Sequence, residues 1–202
     1  MQLIDLTMSL NDSTPVYFNG KRHKLNRIAH LGKDGWNEFE IHVSNHYGTH
    51  IDAPWHMVED GRKLGDYPIE RFVGRGVLCD VRYQKVINSD LEEVCENDIL
   101  LLRTDYTKHI NSAEYSVNNP VLSMKLAEQI VGKKIRMVGI DSFSPDNNPY
   151  EIHKYLLKHD VLILENLVNL DLIPINTFTL YVLALKLDQV DGAPCRVIAQ
   201  IE

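Results

Sequence analysis

The chain has 202 residues and a mass of 23.2 kDa, which at the usual ~100 to 200 residues per domain predicts one domain over 1–202. Hydrophobic residues make up 44% and charged residues 24%, a globular mixture that excludes disorder, collagen-like structure and coiled coil. With 21 Lys+Arg against 28 Asp+Glu, a formal charge of -7 and no basic run, neither nucleic acid nor an anionic membrane is an expected partner.

Met1-Gln2-Leu3-Ile4-Asp5 lacks the basic and apolar regions of an export signal. The most apolar later stretch, 161–175, is broken by Glu165, Asn166, Asn169 and Asp171. Cys79, Cys95 and Cys195 are odd in number and far apart, which argues against a disulfide framework or a thiolate zinc site and fits a reducing, cytoplasmic setting. Runs rich in β-branched residues predict strands over 39–46, 76–81, 99–105, 136–141, 161–166, 178–187 and 196–201. Helices are predicted over 120–131, capped by Ser123 or Asn119 and stopped by Gly132, and over 149–158, where Pro149 suits a first helical position. A short helix is expected over 90–95. Strands fill the first half and interleave with helices in the second, so the fold class is mixed α/β.

Four of the nine histidines, His42, His46, His50 and His56, fall within fifteen residues. A helix would put His46 and His50 on one face, but Asp52 would lie well round the cylinder and Gly48 and Pro54 would interrupt it. In extended chain Phe39, Ile41 and Val43 share one face, and Glu40, His42, Ser44, His46, His50, Asp52 and His56 the other. A straight strand from His46 to His56 would span roughly 33 Å, too long for ligands that each approach one ion to about 2 Å. The chain must therefore bend, and Gly48 and Pro54 are the residues that allow it.

The run His46-x-Gly48-Thr49-His50-x-Asp52-x-Pro54-x-His56 resembles the H-x-G-T-H-x-D-x-P-x-H signature of the metal-dependent cyclase family, which includes bacterial kynurenine formamidase and isatin hydrolase. The similarity spans nearly the whole chain. It includes Leu3-Ile-Asp-Leu6, Pro15-Val-Tyr17, Asp66-Tyr-Pro68, Phe72-Val-Gly74, Leu102-Arg-Thr104, Gly139-Ile-Asp-Ser142, His153 with Glu165, and Asp191-Gly-Ala-Pro194. The resemblance implies that His46, His50 and Asp52 bind metal, that His153 and Glu165 complete a second metal position, and that His56 is the acid/base. It further implies a three-layer β/β/α domain of the swivelling type, a homo-oligomer (dimer or tetramer), and Tyr17 as a substrate-binding aromatic. After Tyr17 the formamidases usually read Pro-Gly-Asp, whereas this chain reads Phe18-Asn19-Gly20.

Histidine and carboxylate without thiolate suit one or two catalytic ions of zinc, or of manganese. Such an ion lowers the pKa of bound water from 15.7 toward ~7 and polarises a carbonyl. The activity that the resemblance implies is hydrolysis of a small-molecule amide, in particular N-formylkynurenine by an arylformamidase, with His56 protonating the departing amine. Hydrolysis of a cyclic amide such as isatin and a non-catalytic binding role are the alternatives. Elsewhere, Asp141 and Asp146 read as turn caps, and Ser142 and Ser144 lack a nucleophile-elbow context. His23, His30, His109 and His159 read as structural, and Trp36, Trp55 and Phe143 as core.

Overall fold

The computed structural model describes residues 1–11, 13–16, 23–112 and 114–202. Its strands are β1 (Gln2–Asp5), β2 (Lys24–Ala29), β3 (Glu38–His42), β4 (His50–Asp52), β5 (Val73–Asp80), β6 (Val86–Ile87), β7 (Ile99–Arg103), β8 (Val121–Leu122), β9 (Met137–Ile140), β10 (Leu162–Glu165), β11 (Thr177–Ala184) and β12 (Gly192–Ile201). The α-helices are α1 (Leu31–Asp34), α2 (Met124–Gly132) and α3 (Glu151–Lys158). No helix among the described residues is long and apolar enough to cross a membrane.

Strands β5, β7, β9 and β10 lie side by side in parallel. Parallel strands need crossovers that cover the sheet, so both faces are buried and the sequence is apolar without alternation. Ile99-Leu-Leu-Leu102 in β7 is such a run. Ile99 and Leu101 pack with Leu162, Leu164, Val182 and Val197, whereas Leu100 and Leu102 pack with Leu126 and Ile130 of α2 and Leu156 and Leu157 of α3. The second cluster thus lies between sheet and helices, and the first lies on the opposite face.

That opposite face is enclosed. β11 joins β5 antiparallel, β12 joins β11, and β4 bridges β12 to β10, closing a seven-stranded ring in the order β4-β10-β9-β7-β5-β11-β12. β12 is long enough to pair β4 through Gly192, Ala193 and Pro194 and then β1 through Ile198 to Ile201. The mixed α/β class is as expected. The pairing describes one closed sheet, with the helices outside its parallel strands.

Three local expectations are corrected. Segment 90–95 forms turns rather than a helix: the Asp90 carboxylate accepts the Glu92 N–H at 3.1 Å and Val94 N reaches Leu91 O at 3.0 Å, a single turn that is not continued. The helix expected over 120–131 begins only at Met124. Ser123 caps it, accepting from Leu126 N at 3.1 Å, while Val121 and Leu122 pair with β6. The strand expected over 39–46 ends at His42 and pairs with β2 in a hairpin apart from the closed sheet, with Phe39 56% and Ile41 64% exposed.

Candidate active site

Between β3 and β4 the chain turns at Gly48, whose φ of +63° is the left-handed conformation; a Cβ there would lie 2.2 Å from Leu10 Cδ2. Beyond β4 it turns again into a 3-10 helix, Pro54–His56. The two bends are those expected from the sequence, and they convert an unreachable span into a compact cluster. Ile51 belongs to the cluster enclosed by the sheet, so His50 and Asp52 on either side of it face outward, towards α3. Register completes the placement: Glu165 of β10 lies opposite His50, and α3 brings His153 over both.

The polar atoms converge. His46 Nδ1 lies 2.8 Å from Asp52 Oδ1, and His50 Nε2 lies 3.5 Å from the same oxygen and 3.3 Å from Glu165 Oε2. His153 Nε2 is 3.1 Å from Glu165 Oε1 and 3.8 Å from Asp52 Oδ2. Two overlapping groups could each hold an ion: His46, Asp52 and His56, and His50, Asp52 and Glu165. Asp52 is common to both, as a bridging carboxylate would be. His42 takes no part; its ring pairs with Glu40 at 3.0 Å on the exposed hairpin.

The outer nitrogens of the three buried or half-buried histidines are already occupied. His50 Nδ1 meets Gly48 O at 2.8 Å, His153 Nδ1 meets Asp146 Oδ1, and His46 Nε2 meets Asp191 Oδ2 at 2.8 Å. A neutral imidazole has one N–H, so donation outward leaves an inward lone pair on each ring, aimed at carboxylates that are also acceptors. Asp52 Oδ1 is buried and accepts no hydrogen bond of normal geometry despite these neighbours. Lone pairs facing lone pairs are balanced by a cation between them or, without one, by a second proton on the ring. Donors about 2.1 Å from a tetrahedral ion stand about 3.4 Å apart, within the spread of separations seen here. The donor set therefore fits a divalent metal, which His50, Asp52 and Glu165, or His46, Asp52 and His56, would hold, with His153 Nε2 beside Glu165.

Electrostatics agree. Burial opposes the imidazolium of His46, but Asp52 and Asp191 outweigh it and push the group up to about 10. Burial likewise opposes the charge on His153, and Asp146 and Glu165 raise it to about 10. Burial would raise Asp52 and Glu165, yet the neighbouring histidines hold both carboxyls below their usual range. Without a metal, protons on histidine are what balance the carboxylates. A histidine raised above its unfolded value contributes stability that is complete below about pH 6.5 and lost as pH climbs through the folded value near 10. The Tm of chelator-treated protein should accordingly fall between about pH 6.5 and 10, and a metal-loaded sample should hold its Tm better over that window. Parallel thermal melts would check this, and equal declines would contradict it.

The cluster opens into a cavity of about 340 Å³, walled on its other side by Met57, Phe143 and Tyr150 with Ser44 and Ser144 among them. Phe143, expected in the core, is buried and also lines this cavity. Trp36 and Trp55, expected in the core too, are 57% and 40% exposed and do not line it. Tyr17, with Phe18, Asn19 and Gly20, lies outside the described residues.

Asp146 is more than a turn cap. Its Oδ2 accepts from Ile152 N at 2.7 Å and His153 N at 3.1 Å, while Oδ1 engages the His153 ring. Asp141 is not a local turn cap either: it accepts from Thr104 N at 2.6 Å and Asp105 N at 2.9 Å, just beyond β7 and 36 to 37 residues away. Asp191 was visible only as part of a family-like run. Its contacts with His46 and His56 join positions 145 and 135 residues apart, a separation that leaves no local signal.

A family model described as "Putative cyclase" matches residues 4–147. The chain belongs to the cyclase family. A fellow member named kynurenine formamidase, from Bacillus mycoides (strain KBAB4), is 35% identical over 211 residues, covering 98% of this chain and 96% of the relative. Among solved cyclase-like structures, isatin hydrolase A from Labrenzia aggregata, bound to benzyl benzoate, superposes with a TM-score of 0.86 at 25% identity, over 98% of this chain and 93% of its own. A structure described as a "potential metal-dependent hydrolase with cyclase activity" has a TM-score of 0.82 at 28% identity, over 98% and 96% of the two chains.

Proposed function

We propose that this cyclase-family chain is a metal-dependent amide hydrolase, and specifically an arylformamidase that hydrolyses N-formylkynurenine to kynurenine and formate. The observation that carries the reading is the meeting of five metal-type donors and His56 at one wall of a cavity whose other wall is apolar and aromatic. The 35% identical relative named kynurenine formamidase supports the substrate.

The ion, zinc or manganese, supplies Lewis acidity toward the formyl carbonyl and makes water a better nucleophile near neutral pH. The chain's own residues do the rest. Met57, Phe143 and Tyr150 hold the aromatic ring, which turns the formyl carbon toward Asp52 and Glu165. Water adds to that carbon, the C–N bond breaks, and formate leaves. One proton must reach the departing aromatic nitrogen. His56 supplies it from Nε2, since its Nδ1 is engaged by Asp191 at 2.8 Å. Turnover of N-formylkynurenine by metal-reconstituted protein, lost on chelation and restored by metal, tests the proposal; no turnover by fully loaded protein would sink it.

A second substrate reading, a cyclic amide such as isatin, draws on the likeness to isatin hydrolase A. The same carbonyl attack would open the ring, so a parallel assay with isatin separates the two. A purely binding role is disfavoured because His56 is held at the cavity wall with Nδ1 on Asp191, which leaves its other nitrogen for proton transfer.

We also propose self-association into a homo-oligomer, a dimer or tetramer, of a cytoplasmic enzyme. The β2–β3 hairpin exposes Ile28, Trp36, Phe39 and Ile41, each more than half exposed, and two strands alone are marginal in water. Light scattering should give a multiple of 23.2 kDa. The double variant Phe39→Ser/Ile41→Ser should shift the mass toward the monomer, and a monomeric wild type would contradict the proposal.

A further inference from the structure

Both His46 and His56 end on one oxygen: His46 Nε2 and His56 Nδ1 each lie 2.8 Å from Asp191 Oδ2, with the two rings 4.2 Å apart. A carboxylate only accepts, so each of those nitrogens carries a proton. The consequence differs between the rings. With a metal bound, His46 would offer the lone pair of Nδ1, the atom 2.8 Å from Asp52 Oδ1, while His56 is left with Nε2 as its exchangeable nitrogen. Free histidine favours the Nε2–H form, so His46 is held in the common tautomer and His56 in the rarer one.

The carboxylate itself is fixed. Its other oxygen, Oδ1, accepts from Asn45 Nδ2 at 2.5 Å, and the same amide reaches Gly192 O at 3.2 Å. Asp191 O accepts from Ala53 N at 2.8 Å, tying the residue to the end of β4. The next position tolerates no side chain: a Cβ on Gly192 would come 2.6 Å from Ile51 O and 2.9 Å from His46 Cε1. Backbone, amide and steric constraints therefore all hold Asp191 against the two rings.

We infer that Asp191 is a positioning residue that sets the proton location on His46 and His56 together, so that one carboxylate oxygen organises both a metal donor and the acid/base. The inference rests on the proposed hydrolase reading for the use made of the two rings, though not for the tautomers themselves. During the reaction His56 takes a proton on Nε2 from the attacking water, passes it to the leaving nitrogen, and keeps its Nδ1 proton in the bond to Asp191 throughout. Asp191 gains and loses none, as in a hydrolase triad.

The test uses zinc-loaded, 15N-histidine-labelled full chain, with long-range 1H–15N spectra reporting which ring nitrogen carries each proton and His46→Gln and His56→Gln variants assigning the signals. Wild type should show His56 protonated on Nδ1 and His46 on Nε2. In Asp191→Ala the His56 signal should move to the Nε2–H pattern, and zinc affinity, read by competition with a chromophoric chelator, should fall about 10- to 100-fold, the usual range for loss of an outer-sphere partner. Should Asp191→Ala fail to fold by circular dichroism, Asp191→Asn keeps the shape and must still weaken zinc binding and disturb the His56 tautomer. Unchanged tautomers and zinc affinity in a folded variant would overturn the inference. If wild type shows these tautomers yet hydrolyses no amide, the hydrolase reading fails and the role of Asp191 stands.

Discussion

Replacing His50 with alanine is expected to weaken divalent-metal binding by more than the about 10- to 100-fold that losing an outer partner costs, and to reduce amide hydrolysis to background. His50 is buried, its Nδ1 is committed to Gly48 O, and its Nε2 faces both Asp52 and Glu165, so no neighbour can take over its position. The variant also leaves two buried carboxylates with one fewer counter-group, a costly arrangement in a water-poor site. Metal bound to the native state stabilises it by about 2.7 kcal/mol at a free concentration 100 times Kd. Zinc should therefore raise the Tm of wild type and leave that of His50→Ala nearly unmoved. Elemental analysis after dialysis gives the second readout. A variant that retains stoichiometric zinc would show that His50 is not a ligand and that the donor set has been misassigned.

His56→Asn should behave in the opposite way: metal content and Tm close to wild type, with kcat lower by about 10²- to 10⁴-fold, the range for a single acid/base group. The ring stands at the cavity wall beside the donor cluster, and its contact with Asp191 leaves one nitrogen for proton transfer. Asparagine keeps a polar side chain against Asp191 but has no group that titrates near neutrality. Because His46, Asp52 and His56 are close enough together to share an ion, metal analysis decides between the two roles. Loss of metal in step with activity would make His56 a ligand, and full activity would place the acid elsewhere.

The different roles expected of His50 and His56 rest on a single stretch of eleven residues, whose donor types and bends are legible without a structure. Gly48 and Pro54 mark the only two bends that make the spacing workable, and both bends occur where the sequence demands them. β7 was likewise legible as a strand, since Ile99 to Leu102 has the unbroken apolar run of a strand covered on both sides. The helix bearing His153 was placed within two residues of its start, although nothing local said that it would lie over β4 and β10.

Other features lie beyond any local pattern. The alternation in β3 marks Phe39 and Ile41 as one face, but periodicity cannot say what covers that face, and in the folded chain it is left exposed on a hairpin. The helical-looking segment 90–95 folds into turns, and no pattern within it says so. Sequence by itself determined the donor types, their spacing, the bends and the strand-rich α/β class, because those follow from residue chemistry and short-range geometry. Only the tertiary structure decided that β12 closes the sheet through β4, and so brings Asp191 to His46 and His56 and sets Gly192 beside Asp52. Such pairings join residues more than 130 positions apart, and their selection depends on the packing of the whole barrel rather than on any preference of the chain near either partner.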